Sequence, residues 1–180
     1  VFDLTKYDYF MWASHDDYWY PDYVKVCLEK YNSSDMLAMS CTESAIVKSE
    51  VNNIIAIDRG VNTIGKNSDE RFIVYRKYLK IYPGADCIFY GLYNRKILSK
   101  VMPMKTVIAS DHILLASLSL HGEFYTSKGV LFNKRDGGAC ESITKIVQSM
   151  LINNSLLIAF PYLLREYYFQ SSLLHSNSMN

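Results

Sequence analysis

The spacing of apolar and polar positions divides this chain into alternating strand-like and helix-like stretches. Residues 7–14, "YDYFMWAS", form an aromatic-rich run that predicts a strand covered on both faces. Pro21 is a favoured first helical residue, and Tyr23, Val24, Cys27, Leu28 and Tyr31 recur behind it at helical spacing, which predicts a helix over about 21–32. Residues 36–49 and 53–59 read as two strands. Asn67 with Glu70 three residues on is a capping-box pattern, opening a helix whose face carries Phe72, Tyr75, Arg76 and Leu79. Residues 86–93, "DCIFYGLY", predict a short buried strand broken at Gly91, with a short helix through 94–101. The stretch 110–122, "SDHILLASLSLHG", is apolar nearly all round and ends at Gly122, as a buried helix would. Strand material returns at 123–133, and Ile143, Ile146, Val147, Met150 and Leu151 mark an amphipathic helix. The tail from Ser171 is polar and predicts frayed chain. Strands and helices in alternation give an α/β class.

Length allows one domain with a sizeable core, read as a main unit over 1–140 and a helical extension over 141–180. Nineteen Lys and Arg against eighteen Asp and Glu leave no net field to gather a polyanion, so no nucleic-acid partner is expected. Cys27, Cys41, Cys87 and Cys140 form no CxxC pair and read as buried thiols of a reducing, cytoplasmic compartment. No stretch reaches the roughly 18–20 apolar residues of a membrane span. The nearest, 155–164, is interrupted by Pro161, and with the aromatics that follow it suggests at most peripheral contact with a bilayer, at its inner face.

One stretch carries candidate chemistry. In "WASHDDYW" (12–19), Asp16 and Asp17 stand side by side where a strand should end, before a helix. Adjacent carboxylates raise each other's pKa unless a cation or water relieves them. A hard ion, Mn²⁺ or Mg²⁺, binds through one or two carboxylates together with substrate phosphates. The carboxyl edge of an α/β sheet is where ligands bind. The plain alternative is a turn in water.

"YFMWASHDDYWYPDYV" (9–24) resembles the metal-binding segment of family 2 glycosyltransferases of the GT-A fold, where a buried strand ends in an acidic motif followed by an aromatic residue, a Pro and a helix. Asp16 and Asp17 match the last two acidic positions, and Ser14 stands where many members carry the first Asp. "CIFYGLYNRKIL" (87–98) is similar to the family's acceptor-side strand and turn, with Tyr90 and Gly91 as the substrate-side residues. "ASDHILLASLSLHGEFY" (109–125) resembles the segment in which an Asp, here Asp111, is the catalytic base; Ser110 replaces the usual preceding Glu. "GVLFNKRDGG" (129–138) resembles the strand and basic turn that close the site.

The resemblance implies a GT-A type mixed sheet flanked by helices and a sugar transfer from a nucleotide-sugar donor to a glycan or lipid-linked acceptor, with inversion. It implies Asp16 and Asp17 as metal ligands and Asp111 as base. Lys134, Arg135 and His15 would face the diphosphate, and Trp19 and His112 the sugar or acceptor. The family's first strands have no counterpart here, so the chain reads as the C-terminal portion of such a domain, with a sheet edge open to a second copy. The alternatives from other classes are a non-catalytic nucleotide-sugar or carbohydrate binder and a membrane-peripheral interaction domain.

Overall fold

A computed structural model describes residues 2, 6–48, 53–81, 87–136 and 163–177. The elements run β1 (Tyr9–Phe10), β2 (Tyr18–Trp19), α1 (Tyr23–Tyr31), β3 (Leu37–Val47), β4 (Ile54–Asp58), α2 (Ser68–Ile81), a 3₁₀ turn (Cys87–Tyr90), β5 (Leu92–Asn94), α3 (Arg95–Leu98), α4 (Ser110–His121), β6 (Glu123–Arg135) and α5 (Leu163–Asn177). The class is mixed α/β. One six-stranded sheet has the order β1-β5-β3-β6-β2, with β4 also pairing β3. β3 is parallel to β6 and antiparallel to β4 and β5; β1 is antiparallel to β5, and β2 to β6.

β3 is buried at nearly every position, as expected of a central strand with helices on both faces. One apolar cluster joins the sheet to α2, α4 and α5 around Tyr75, Leu115, Leu118, Phe124 and Phe169. The other lies under α1 around Tyr23, Cys27, Tyr31, Leu37 and Phe132. Burying each of these large side chains stabilises the fold by about 1.5–3 kcal/mol before ordering entropy is subtracted.

Local sequence rules account for several boundaries. The capping box forms in both directions: Glu70 N–H donates to Asn67 Oδ1 at 2.9 Å, and Asn67 N–H to Glu70 Oε2 at 3.0 Å. Arg71 in the next turn is buried and caps the far end of α4, donating to the carbonyls of Ser119 (2.7 Å) and Leu120 (2.9 Å). Farther along α2, the Tyr75 hydroxyl reaches the His112 carbonyl near the start of α4, so the two helices are antiparallel.

Four expectations need correction. The strand foreseen over 7–14 is only Tyr9–Phe10, because Trp12 leaves the ladder to stack on Phe89, ring centroids 4.7 Å apart. It therefore ends the sheet instead of sitting inside it. The first half of "DCIFYGLY" is a 3₁₀ turn. Its three-residue period puts Cys87 and Tyr90 in the cluster under α1 while Ile88 and Phe89 join the other. The first helix begins at Tyr23, with Asp22 as N-cap, so Pro21 lies in the turn before it. The tail is helical through Asn177, held where Ser172 meets Ser117 at 3.1 Å and Leu173 packs on the core. The amphipathic stripe at 143–151 and the apolar stretch before Leu163 lie outside the described residues.

Gly91 is set by packing. A Cβ there would meet Met39 Sδ at 2.7 Å and the Ser40 carbonyl at 3.0 Å. Gly91→Ala is expected to destabilise by about 1–3 kcal/mol, a loss of about 5 °C in Tm. Thermal melting checks this, and an unchanged Tm with lost ligand binding would return Gly91 to a substrate-contacting role.

Candidate functional site

Strand directions bring distant parts of the chain to one edge. β1 is antiparallel to β5, which is antiparallel to β3, and β6 is parallel to β3. β1, β3 and β6 therefore run the same way and share a carboxyl edge. The chain leaves β1 through Ser14–Asp17 and turns back as β2, with Tyr18 opposite Asn133 and Trp19 opposite Phe132. That register sets Asp17 next to Lys134 and Arg135 at the end of β6. The Arg135 backbone N–H donates to Asp17 Oδ1 at 2.9 Å, across 118 residues of sequence.

The two carboxylates differ in environment. Ser14 donates its hydroxyl to Asp16 Oδ1. This hydrogen bond holds Asp16 below the ordinary carboxylate range, helped by the charges of His15 and Arg135. Burial pushes Asp17 up; the Arg135 N–H pulls against the rise and the charge of Asp16 adds to it. Ser14, standing where the family pattern has an acid, thus acts as a donor that fixes its neighbour. His15 is exposed at the tip of the bend. Among the described residues no group of three or more His, Cys, Asp or Glu side chains is placed to hold a metal. Asp16 and Asp17 each have one carboxylate oxygen engaged, by Ser14 and by Arg135, and one or two carboxylates of this kind suit a hard ion shared with a substrate phosphate better than a resident one.

The first turn of α4, which carries Asp111, is placed by packing against α2 and β5. α4 ends at Gly122, against Ala38 and Met36 at the amino end of β3, and leads straight into β6. α2, antiparallel to α4, sets Tyr78 on Asp58, which pairs with Ser44 in the carboxyl half of β3. The first turn of α4 therefore lies toward Asp58 and away from the amino end of β3. The N-cap is Ala109, in the left-handed region at φ 57°, with no side-chain cap hydrogen bond. Asp111 falls in the first turn, not at the cap, and is half-buried. Left-handed backbone in a non-glycine residue costs about 1–2 kcal/mol and recurs at functional sites. Burial raises the Tyr93 phenol well above its ordinary range, and the charge of Asp111 adds to that rise, so the two are close. Tyr93 also packs edge-on to Trp12 at 5.1 Å, in the segment that leads to the acidic pair. Tyr93 and Trp12 are the connecting residues that sequence reasoning missed; nothing in a strand Tyr or a run of aromatics marks them.

Other foreseen residues sit elsewhere. His112 is buried among helices: its Nδ1 lies 3.4 Å from an Arg165 nitrogen of α5 and its carbonyl accepts from Tyr75. Trp19 is no open platform for a sugar. Its ring stacks on Phe132 at 4.9 Å and meets the edge of Tyr90, leaving its indole N–H buried without a partner among the described residues. Tyr90 packs on Phe132, and its carbonyl accepts from the Tyr23 hydroxyl at 3.0 Å. The more open ring of β2 is Tyr18, 46% exposed, which meets Tyr20 edge-on at 5.0 Å.

A cavity of about 500 Å³ lies between α2 and α5, and one of about 330 Å³ lies beside α2 and the loop after β4; neither is lined by Asp16, Asp17 or Asp111. No helix among the described residues is long and apolar enough to cross a membrane. No family model matches the chain, and no curated protein gives a significant match.

Proposed function

We propose that the chain is the acceptor-side part of a metal-dependent, inverting glycosyltransferase of the GT-A type, moving a sugar from a nucleotide-sugar to a hydroxyl of a glycan or lipid-linked acceptor. The observation that carries the reading is the contact between Asp17 and Arg135, which joins two motifs far apart in sequence at one sheet edge. Asp111, in the first turn of α4, is the residue that would serve as base in this reading.

In this reading Asp16 and Asp17 would hold Mn²⁺ or Mg²⁺ against the donor diphosphate. When bound, such an ion neutralises the charge of the leaving diphosphate. Lys134 and Arg135 flank the pair and donate to phosphate oxygens as charge-assisted partners. His15, exposed beside them, adds a further donor. Asp111 accepts the proton of the acceptor hydroxyl as that oxygen attacks the anomeric carbon. The helix N-terminus favours its ionised form before the reaction. A single displacement inverts the configuration. Tyr18, half-exposed with one edge against Tyr20, is the better candidate for stacking on the sugar, and Trp19 supports the strand from beneath. The test is transfer from nucleotide-sugars by the full-length protein, with and without divalent ion.

A further inference from the structure

The second half of α2 carries a surface that glycosyl transfer does not use. Ile73, Arg76, Lys77, Lys80 and Ile81 recur at i, i+3, i+4, i+7 and i+8, one face of the helix. Ile73 is 51% and Ile81 68% exposed, although water disfavours both. Arg76 is occupied, bridging to Glu166 at 3.0 Å and lying over the Phe169 ring. Lys77 and Lys80 are exposed, and neither meets a carboxylate among the described residues. The face borders the larger cavity, about 500 Å³, whose wall includes Phe72, Ile73 and Leu173. On α5, Leu173 lines the same cavity.

We propose that this face docks on an anionic lipid bilayer, with Lys77 and Lys80 at the headgroup phosphates and Ile73 and Ile81 at the acyl boundary. Charge selects that occupant. The chain as a whole carries a formal charge of only +1, so attraction to an anionic surface must be local. The acidic wall of the groove, Asp69, lies about 16 Å along the helix from Lys80. Lysine stems lie along apolar surface while their ammonium groups stay in water, so cations and aliphatics can share one helix face at a bilayer boundary. Each lysine near an anionic leaflet contributes about 1 kcal/mol, so the docking is reversible and weakens with salt. This inference goes beyond the transfer reading and does not depend on it.

Vesicle flotation of the full-length protein tests it, with phosphatidylcholine alone or with about 30% phosphatidylglycerol, at about 0.1 M salt. The protein is expected to float with the anionic vesicles and not with the neutral ones. Lys77→Glu with Lys80→Glu should lower the bound fraction about tenfold or more, and Ile81→Trp should raise it. Both variants alter exposed side chains, and circular dichroism checks that they fold. Equal recovery with both vesicle types, unchanged flotation of the double lysine variant, or retention on heparin without flotation would overturn the proposal.

Discussion

Asp111→Asn is expected to lower sugar transfer by about 10²–10⁴-fold while leaving donor binding close to wild type. The amide keeps the shape and polarity of the side chain in the first turn of α4 but cannot take a proton from the acceptor hydroxyl. Structure makes this substitution informative. The cap position belongs to Ala109, and no side chain caps the helix from there. Parallel measurement of donor affinity, turnover and Tm separates the roles: a structural part for Asp111 predicts a fall in all three, and a base predicts a fall in turnover alone.

Asp17→Ala should remove divalent-ion-dependent turnover, by about 10²–10³-fold, because stabilising charge on a leaving diphosphate contributes several kcal/mol. The fold should hardly notice. Burial raises the Asp17 pKa, so its ionised form is disfavoured in the folded chain. A group shifted this way stabilises below its unfolded pKa, and that contribution is lost as pH rises through the folded value. At neutral pH Asp17 is therefore a burden on stability, which offsets the hydrogen bond lost by Arg135 N–H. The expected change in Tm is within about 2 °C. Turnover that keeps its dependence on Mn²⁺ after this substitution would place the ion elsewhere.

Features governed by neighbours in sequence were legible, and features set by distant packing were not. The Asn67–Glu70 box, the strands β3, β4 and β6 and the long buried α4 follow from capping and from the period of apolar positions. The end of β1 does not, because it depends on where Trp12 finds Phe89 and Tyr93. α4 is apolar nearly all round, so its sequence does not say which face meets the sheet edge. The resemblance offered Asp111 as base and His112 on the acceptor side, and the packing of α2 and α5 around His112 takes that residue into the core. Trp19 and Tyr18 pose the same problem on β2, where pairing with β6 turns Trp19 onto Phe132 and leaves Tyr18 open. The juxtaposition of Asp17 with Arg135 was foreseen only through the order of the motifs; the β2–β6 register supplies its physical cause.

The most direct measurement is transfer by the full-length protein from a panel of nucleotide-sugars to simple hydroxyl acceptors, following nucleoside diphosphate release and assigning the anomeric configuration of the product by NMR. The account predicts release that requires both acceptor and Mn²⁺ or Mg²⁺, and a product of configuration opposite to the donor's. Transfer without a divalent ion, a product of retained configuration, or no nucleoside diphosphate release from any donor would contradict it.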